Sequence, residues 1–274
     1  MKTIGSTIIM LALASSLFAD NGKELKLASP DGTHEIVFYQ KQVSPAVNEL
    51  CYRVDYKSQP VVNESRAGLE LDNRIWEMAL GVRNLKQPAC WMDNLEVDSV
   101  TYQPETNLTW QPLYGERSSV RDHYRAGTLC LSKKDNSGYR LNIEVRAYNE
   151  GVAFRYFFPE HPKAIFHKVV GDLTEYALPA GTKAWTEQWA QAFFERLNID
   201  DIKHPVERAL TFELPNGKWA ALADADVDDW CLTKYLVSTD KKNTLTSVMY
   251  SPVDVVTYYA TPWKIVMAAD KPGE

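Results

Sequence analysis

Two adjacent segments of the chain alternate apolar and polar residues with the period of a β-strand. Tyr139–Tyr148 reads YRLNIEVRAY and Val152–Phe158 reads VAFRYFF, with Glu150-Gly151 between them. Such alternation places every second side chain on one face of a sheet, and a glycine at the junction permits a tight turn. These residues therefore predict an antiparallel hairpin with one apolar face.

The same pattern recurs along the rest of the chain. Ser29-Pro30-Asp31-Gly32 and Pro215-Asn216-Gly217 are turn signatures, because Pro fixes φ and Gly tolerates positive φ. Only Glu187–Leu197 has a helix-like composition. Further predicted strands are Glu24–Leu27, His34–Tyr39, Leu50–Tyr56, Val61–Val62, Ala67–Leu71, Val97–Tyr102, Leu108–Trp110, Gly127–Ser132, Thr211–Leu214, Lys218–Ala223, Ser247–Ser251, Val255–Thr257 and Trp263–Ala268. Many short strands without helix alternation predict an all-β fold, a large and mostly antiparallel β-sandwich with few short helices.

Length, charge and cysteine spacing exclude several classes of protein. A chain of 274 residues buries about 75% of its unfolded surface, so no disulfide or metal is needed to hold the fold. The formal charge of −6 and the lack of a basic cluster argue against a nucleic-acid partner. Cys51, Cys90, Cys130 and Cys231 have no CxxC spacing, so we expect no zinc site and mostly buried free thiols.

The N-terminus predicts export. Met1-Lys2 gives a positive start, Ile8–Phe18 is apolar but too short to span a bilayer, and Ala19 is a small residue at its end. We therefore expect a signal peptide over residues 1–19 and a mature domain over residues 20–274. No later segment is long and apolar enough for a membrane helix. The expected location is the periplasm of a Gram-negative bacterium.

The stretch Trp110–Tyr124 is the densest candidate site, and no simple strand or helix period accounts for it. It reads WQPLYGERSSVRDHY and combines aromatic rings with Glu116, Arg121 and His123. These three side chains suit an acid–base set, but they equally suit a polar network or sugar contacts. Arg pairs well with a carboxylate, and Glu116 and Asp122 are the candidate partners of Arg121. A bracing or sugar-contact role is the favoured interpretation.

A second acidic cluster, Asp224, Asp226, Asp228 and Asp229, invites comparison with a calcium-binding EF-hand loop. Asp229 stands where that loop needs Gly, and Tyr235 stands where it needs the bidentate Glu. The EF-hand interpretation fails for this reason. We expect a loop or a wet strand edge with a structural role.

Several motifs in order along the chain carry a family resemblance. They are Ser29-Pro30-Asp31-Gly32, Trp110-Gln111-Pro112 with Gly115-Glu116, Arg121 with His123-Tyr124, Arg146–Pro159, Leu178-Pro179 and Thr261-Pro262-Trp263-Lys264. As an ordered set they resemble the N-terminal domain of glycoside hydrolase family 97, with Lys264 in place of an Arg. The resemblance implies a β-super-sandwich that precedes a catalytic (β/α)8 barrel, which this sequence does not reach. It also implies enzymes acting on alpha-glucosides or alpha-galactosides.

The resemblance also implies roles for individual residues. The carboxylate pair of glycoside hydrolysis belongs to the barrel, so we expect no catalytic residue here and an inactive chain on its own. Trp110, Glu116, Arg121 and His123 are expected to face the substrate or the barrel. One Glu of the loop after Leu178-Pro179 is expected to bind a Ca²⁺ ion whose other ligands come from the barrel. By spacing it is Glu187, with Glu195 as the alternative.

Two other functions remain open at this point. The rings of Trp185 and Trp189 are suited to stacking on sugars, which would make the chain a free-standing carbohydrate-binding module. A structural interaction domain without catalysis is the third reading. The expected partners under the first reading are the enzyme's own barrel and its oligosaccharide substrate.

Overall fold

The computed structural model describes residues 24–72, 92–134, 138–161 and 166–273. Within these ranges the chain forms 21 β-strands and one 3-10 turn, Ile199–Asp201. The predicted all-β, antiparallel fold class is therefore confirmed. The expected signal peptide and Cys90 lie outside the described residues. In the part of the chain that the structure describes, no helix is long and apolar enough to cross a membrane.

One large sheet, called here the first sheet, has seven strands that are antiparallel to their neighbours. In spatial order they are β1 (Glu24–Ala28), β2 (His34–Ser44), β3 (Val47–Tyr56), β4 (Gln59–Arg66), β12 (Glu175–Ala177), β18 (Thr244–Met249) and β17 (Thr233–Val237).

The other large sheet, called here the wide sheet, has eleven strands. Nine of them follow one another as β14 (Glu195–Asn198), β13 (Lys183–Thr186), β15 (Leu210–Glu213), β16 (Trp219–Ala225), β21 (Trp263–Ala269), β10 (Gly151–Phe158), β9 (Arg140–Tyr148), β8 (Val120–Ser132) and β6 (Glu96–Tyr102). The other two are β7 (Thr106–Trp110), which pairs with β8, and β20 (Tyr259–Ala260), which pairs with β10. A small third sheet contains β19 (Val253–Val256), β11 (Phe166–Asp172) and β5 (Leu69–Leu71).

The core lies between the two large sheets and is rich in aromatic rings. Phe154 of the wide sheet contacts Phe38 and Tyr52 of the first sheet, with ring centroids 5.1 and 5.0 Å apart. All three side chains are fully buried. The generous aromatic content of the chain thus serves, in large part, to fill the space between the sheets.

The turns predicted from local sequence are present. β1 and β2 form a hairpin whose turn has Gly32 at a φ of +75°, and β15 and β16 form another with Gly217 at +79°. Both angles lie in the left-handed region that glycine reaches without strain. β9 and β10 pair with Tyr148 opposite Gly151, as the alternating pattern predicts.

The helix-like composition of Glu187–Leu197 does not produce a helix. Residues 187–194 form a loop, and β14 begins at Glu195. The pairing of β14 with β13 satisfies the backbone hydrogen-bonding groups of these residues. A short helix here would lose these bonds between the two strands. Tertiary pairing therefore overrides local propensity here.

The described cysteines are free thiols. Cys51 is buried, while Cys130 and Cys231 are half-buried. Burial raises the pKa of the Cys51 thiol to about 11, so this sulfur is a packing group and not a nucleophile at neutral pH. The prediction of buried free thiols is accurate for Cys51 and too strong for the other two.

Candidate functional site

The stretch Trp110–Tyr124 belongs to a hairpin that extends past the core. β7 pairs with the first half of β8 along its whole length, and residues 111–119 connect the two strands. All of β7 is exposed or half-buried, and the first half of β8 is too. A strand with water on both faces has no apolar period. The stretch therefore contains two strands although no strand period runs through its sequence.

The strand register separates the four residues predicted for this site. Trp110 lies opposite Val120, and Thr106 lies opposite Tyr124. Side chains of opposed residues share one face, and the next pairs along the strands use the other face. Trp110 therefore shares a face with Tyr124, whereas Arg121 and His123 lie on the opposite face. Glu116 is in the connecting loop and is exposed.

Arg121 and His123 each have one polar partner. The Nε of Arg121 donates a hydrogen bond to Oδ1 of Asn107 at 3.0 Å, and among the described residues Arg121 makes no ion pair. Neither candidate carboxylate is therefore the partner of Arg121. Asp122 points to the other face of the strand, and the loop keeps Glu116 away from it. Nε2 of His123 lies 2.7 Å from Oε1 of Glu105.

Glu105 is the residue at this site that the sequence did not reveal. Its other carboxylate oxygen accepts a hydrogen bond from Nε of Arg125 at 3.0 Å. The hydrogen bond from His123 and that from Arg125 lower the pKa of Glu105. Nδ1 of His123 is buried without a hydrogen-bond partner among the described residues. Its role could be found only from the pairing of Asn107 with His123, which sets Glu105 beside both His123 and Arg125.

The face that carries Trp110 and Tyr124 continues into a groove of about 720 Å³ on the wide sheet. Its floor is a stack of rings and guanidinium groups. The guanidinium of Arg146 lies 4.6 Å from the ring centre of Tyr124 and 4.7 Å from that of Trp263, and Arg155 lies 4.4 Å from Trp263. Such cation–π contacts hold the rings in place. Arg155 is also paired with Glu144 at 2.7 Å.

The loop after β13 carries the residues expected to reach a metal ion. Glu187 follows β13 directly, and Glu195 opens β14 opposite Thr186. The two candidates therefore stand at the two ends of one loop. The side chain of Glu187 is half-buried and that of Glu195 is exposed. The loop and its flanks expose four aromatic side chains, which are Trp185, Trp189, Phe193 and Phe194.

The fit of this loop to Ca²⁺ can be judged from its donor set. Within the described ranges no group of three or more His, Cys, Asp or Glu side chains could hold a metal ion. A carboxylate is a suitable hard ligand, but Ca²⁺ takes six to eight oxygens. The described Asp, Glu, His and Cys side chains therefore form no metal cluster of their own. At this loop the available carboxylates are those of Glu187 and Glu195.

The acidic cluster begins inside β16, and its first member, Asp224, has a structural role. Asp224 is within the strand and its Oδ2 accepts hydrogen bonds from Arg208 and Thr233, both at 2.7 Å. The strand ends at Ala225, and both Asp226 and Asp229 have positive φ, as expected for a loop. Asp226 is exposed and pairs with Arg155 at 3.3 Å.

The motif Thr261-Pro262-Trp263-Lys264 links the groove to the core. The backbone N of Tyr156 donates to Oγ1 of Thr261 at 3.1 Å. Trp263 faces the groove, whereas Lys264 points inward and its ammonium pairs with the buried Asp172. Consecutive residues of one strand, which point to opposite faces, therefore fix the outer stack and the inner ion pair.

Fold and site together define a class of protein, a large antiparallel β-sandwich domain with exposed aromatic side chains. These lie on the wide sheet, in the loop of residues 111–119 and in the loop of residues 187–194. The chain belongs to glycoside hydrolase family 97 as an N-terminal domain, because the sequence profile described as "Glycosyl-hydrolase 97 N-terminal" matches residues 27–274. The family resemblance of the sequence motifs is thereby confirmed.

Individual proteins resemble this chain in sequence or in fold. A retaining alpha-galactosidase of Bacteroides thetaiotaomicron is 23% identical over 263 residues, which are 90% of this chain and 35% of that enzyme. A family 97 enzyme of Pseudoalteromonas sp. strain K8, solved in complex with acarbose, has a similar fold. It shares 21% identity with a TM-score of 0.77, and the match covers 90% of this chain and 36% of that one. A beta-arabinopyranosidase matches with 16% identity and a TM-score of 0.73, over 90% of this chain and 40% of that one.

The chain thus spans little more than a third of the length of these relatives.

Proposed function

We propose that this domain supports the active site of a secreted, calcium-dependent family 97 glycoside hydrolase that acts on alpha-glucosides or alpha-galactosides. In this proposal it packs on a (β/α)8 catalytic barrel, contacts the oligosaccharide substrate and supplies one Glu to a calcium site. The catalytic carboxylates lie in the barrel. The family match over residues 27–274 is the observation that carries the proposal.

The names of the relatives support the substrate class. The Bacteroides enzyme is called an alpha-galactosidase, and the Pseudoalteromonas enzyme was solved with acarbose and with panose. The segment over residues 1–19 supports secretion to the periplasm, since its composition is that of a signal peptide.

The structure of the loop supports Glu187 as the calcium ligand. Its backbone oxygen accepts a hydrogen bond from the backbone N of Glu207 at 2.9 Å, which holds the start of the loop in place. The neighbouring Glu207 is neutralised by Lys234 at 2.6 Å, and Lys234 also donates to the backbone oxygen of Gln188 at 2.7 Å. Among the described residues no cation pairs with the Glu187 carboxylate. It is therefore free to ligate a cation supplied by a neighbouring domain.

Calcium titration of the barrel-containing enzyme tests this assignment. Glu187→Gln removes one charged ligand oxygen, and we expect calcium affinity to fall by about 10- to 100-fold with a parallel loss of glycosidase activity at low calcium. Glu195→Gln is the matched control, because it stands at the other end of the same loop, and it should leave affinity unchanged. The reverse result would move the assignment to Glu195, and no effect of either change would remove this domain from the calcium site.

The second candidate function is a free-standing carbohydrate-binding module. The exposed side chains of Trp185 (40%) and Trp189 (53%) favour it. Calorimetry of this chain against malto-oligosaccharides and galactosides distinguishes the two candidates. Binding heat that disappears in Trp189→Ala would support a module, whereas no heat with either class of glycan would remove that reading.

A further inference from the structure

One face of the wide sheet points away from the core, and we call it the outer face. Its central part is formed by alternate residues of four neighbouring strands, since the residues between them, such as Leu222, Val266 and Val152, are buried in the core. The outer-face residues are Ala221, Ala223 and Ala225 of β16, Trp263, Ile265 and Met267 of β21, Gly151 and Ala153 of β10, and Arg146 and Tyr148 of β9.

This face has the wrong composition for a surface that stays in water. The eight residues named here for β16, β21 and β10 carry no charge and no hydroxyl group. The next outer-face residue of β10 is Arg155, which lies over Trp263 and pairs with Glu144. A sheet with one wet face normally alternates apolar and polar residues. The side chain of Met267 is 37% exposed, and Ile265 is half-buried. Gly151, Ala153 and Trp263 are already buried within the domain, so the accessible apolar surface is formed by Ile265, Met267 and the three alanines of β16. An accessible apolar patch of this kind is typical of a site that contacts another protein.

The outer face also contains a depression that fits protruding side chains. A hollow of about 360 Å³ is lined by Tyr148, Trp263, Ile265 and Met267, with the carboxylate residue Glu150 also in its lining. Gly151 and Ala153 form part of its floor, and their small size keeps it open. The hollow adjoins the groove that contains Tyr124, because Arg146 and Trp263 border both.

A single unpaired cation stands where the hollow meets the groove. The guanidinium of Arg146 rests on the rings of Tyr124 and Trp263 and donates a hydrogen bond to the hydroxyl of Tyr148 at 3.4 Å. Among the described residues no carboxylate forms an ion pair with it. A partner that covers this face must supply an acceptor for Arg146, since a buried unpaired charge is strongly unfavourable.

Two other occupants fit less well than a different protein domain. A second copy of this chain on a two-fold axis would set the patch that contains Arg146 against an identical patch, which brings no new kind of carboxylate partner. A sugar needs an open ring face for stacking, and the guanidinium groups of Arg146 and Arg155 lie over Trp263. The known relatives carry about two-thirds of their length outside the matched domain, so a domain of sufficient size exists in them.

We propose that the outer face, from β16 to β9, is the surface by which this domain docks on the catalytic barrel. Apolar side chains of the barrel fill the hollow, and a barrel carboxylate pairs with Arg146. This inference rests on the proposed function, because it takes its partner from there. It places the docking surface on the centre of the wide sheet and makes the hairpin of β7 and β8 its margin.

Methionine oxidation tests the docking surface directly. Met267 is on the outer face, and the half-buried Met249 of the first sheet is an internal reference. Dilute peroxide is applied to this chain alone and to the same chain joined to its barrel, and oxidation of each methionine is followed by peptide mass spectrometry. We expect the oxidation rate of Met267, relative to Met249, to fall several-fold when the barrel is present.

A charge placed on the outer face provides the matched variants. Ala223→Glu points outward beside Ile265 and should restore fast Met267 oxidation in the barrel-containing enzyme. Val43→Glu is the control, because Val43 is an exposed apolar residue (48%) of the first sheet and should have no effect. Circular dichroism of each variant in this chain alone checks that the sandwich still folds.

Three outcomes would overturn the docking surface. Met267 could oxidise equally fast with and without the barrel, Ala223→Glu could leave it protected, or protection in this chain alone could rise with concentration, which would indicate a second copy. Failure of the proposed function looks different, since it is measured as absent glycosidase activity in the barrel-containing enzyme. An active enzyme with an unprotected Met267 would reject the docking surface alone.

Discussion

At the residue scale, Lys264 shows how one side chain of a sequence motif holds two sheets together. Its side chain is 7% exposed, and its ammonium pairs with Asp172, whose side chain is 2% exposed. Burial by itself lowers the pKa of Lys264, but the carboxylates of Asp172 and Asp224 outweigh burial and raise it above its usual range. Asp172 also accepts hydrogen bonds from the backbone N and the hydroxyl of Thr174, at 3.0 and 2.6 Å. The pair is therefore charged and enclosed.

Lys264→Met should be strongly destabilising, since it leaves the carboxylate of Asp172 buried without a counter-charge. We expect the free energy of unfolding to fall by about 3–5 kcal/mol, measured by urea denaturation. The double change Lys264→Met with Asp172→Asn removes both charges and should lose less than the sum of the two single changes. Additive losses would show that the two groups do not interact.

At the element scale, β10 and β21 approach closely because Gly151 has no side chain. A Cβ at this position would lie 2.5 Å from the backbone oxygen of Val266 and 2.9 Å from Cα of Met267. Gly151→Ala should therefore push the two strands apart and lower the free energy of unfolding by about 1–3 kcal/mol. Gly68→Ala is the control, because its nearest contacts would be at ordinary distances of 3.6 Å or more. Equal, small losses in urea denaturation would contradict the close approach.

The same elements show what the sequence could predict. The β9–β10 hairpin and the turns at Gly32 and Gly217 follow from local alternation and turn chemistry, and all three are present. The requirement for glycine at position 151 could not be foreseen, because it comes from β21, more than a hundred residues later in the chain. The three-residue strand β12 was missed for a similar reason, since β4 and β18 define it by pairing.

In the candidate site, too, some features could be predicted from the sequence and others depend on how the strands pair. The density of ionisable and aromatic residues correctly marked Trp110–Tyr124 as unusual. The face that each residue occupies and the bond from His123 to Glu105 depend on strand register, which composition does not specify. The stack on Arg146 joins the successive strands β8 and β9 to β21, which comes much later in the chain. A sequence motif therefore locates an element better than it locates the partners of that element.

At the scale of the whole molecule, stability should depend on pH through buried histidine. His167 is 2% exposed, and its ring stacks on Phe158 with centroids 4.9 Å apart. Burial, assisted by the nearby His161, lowers the pKa of His167 from 6.5 to about 4. The unfolded chain therefore binds more protons than the folded chain between these two values, and the free energy of unfolding rises with pH across this window. Burial also lowers the pKa of His34, which acts in the same direction.

Acidification from pH 7 to pH 4.5 should accordingly lower the free energy of unfolding by about 2 kcal/mol through His167 alone, since one pKa unit corresponds to about 1.4 kcal/mol. Urea denaturation of this chain at a series of pH values measures the slope. His167→Phe keeps an aromatic ring beside Phe158 and removes the titrating group, so its stability should change less over the same interval. The difference between the two slopes is the quantity that decides, because it is insensitive to any change in packing that the substitution brings. Identical slopes for the two proteins would mean that His167 has the same pKa in the folded and the unfolded chain. The acid sensitivity of the sandwich would then come from its other ionisable groups.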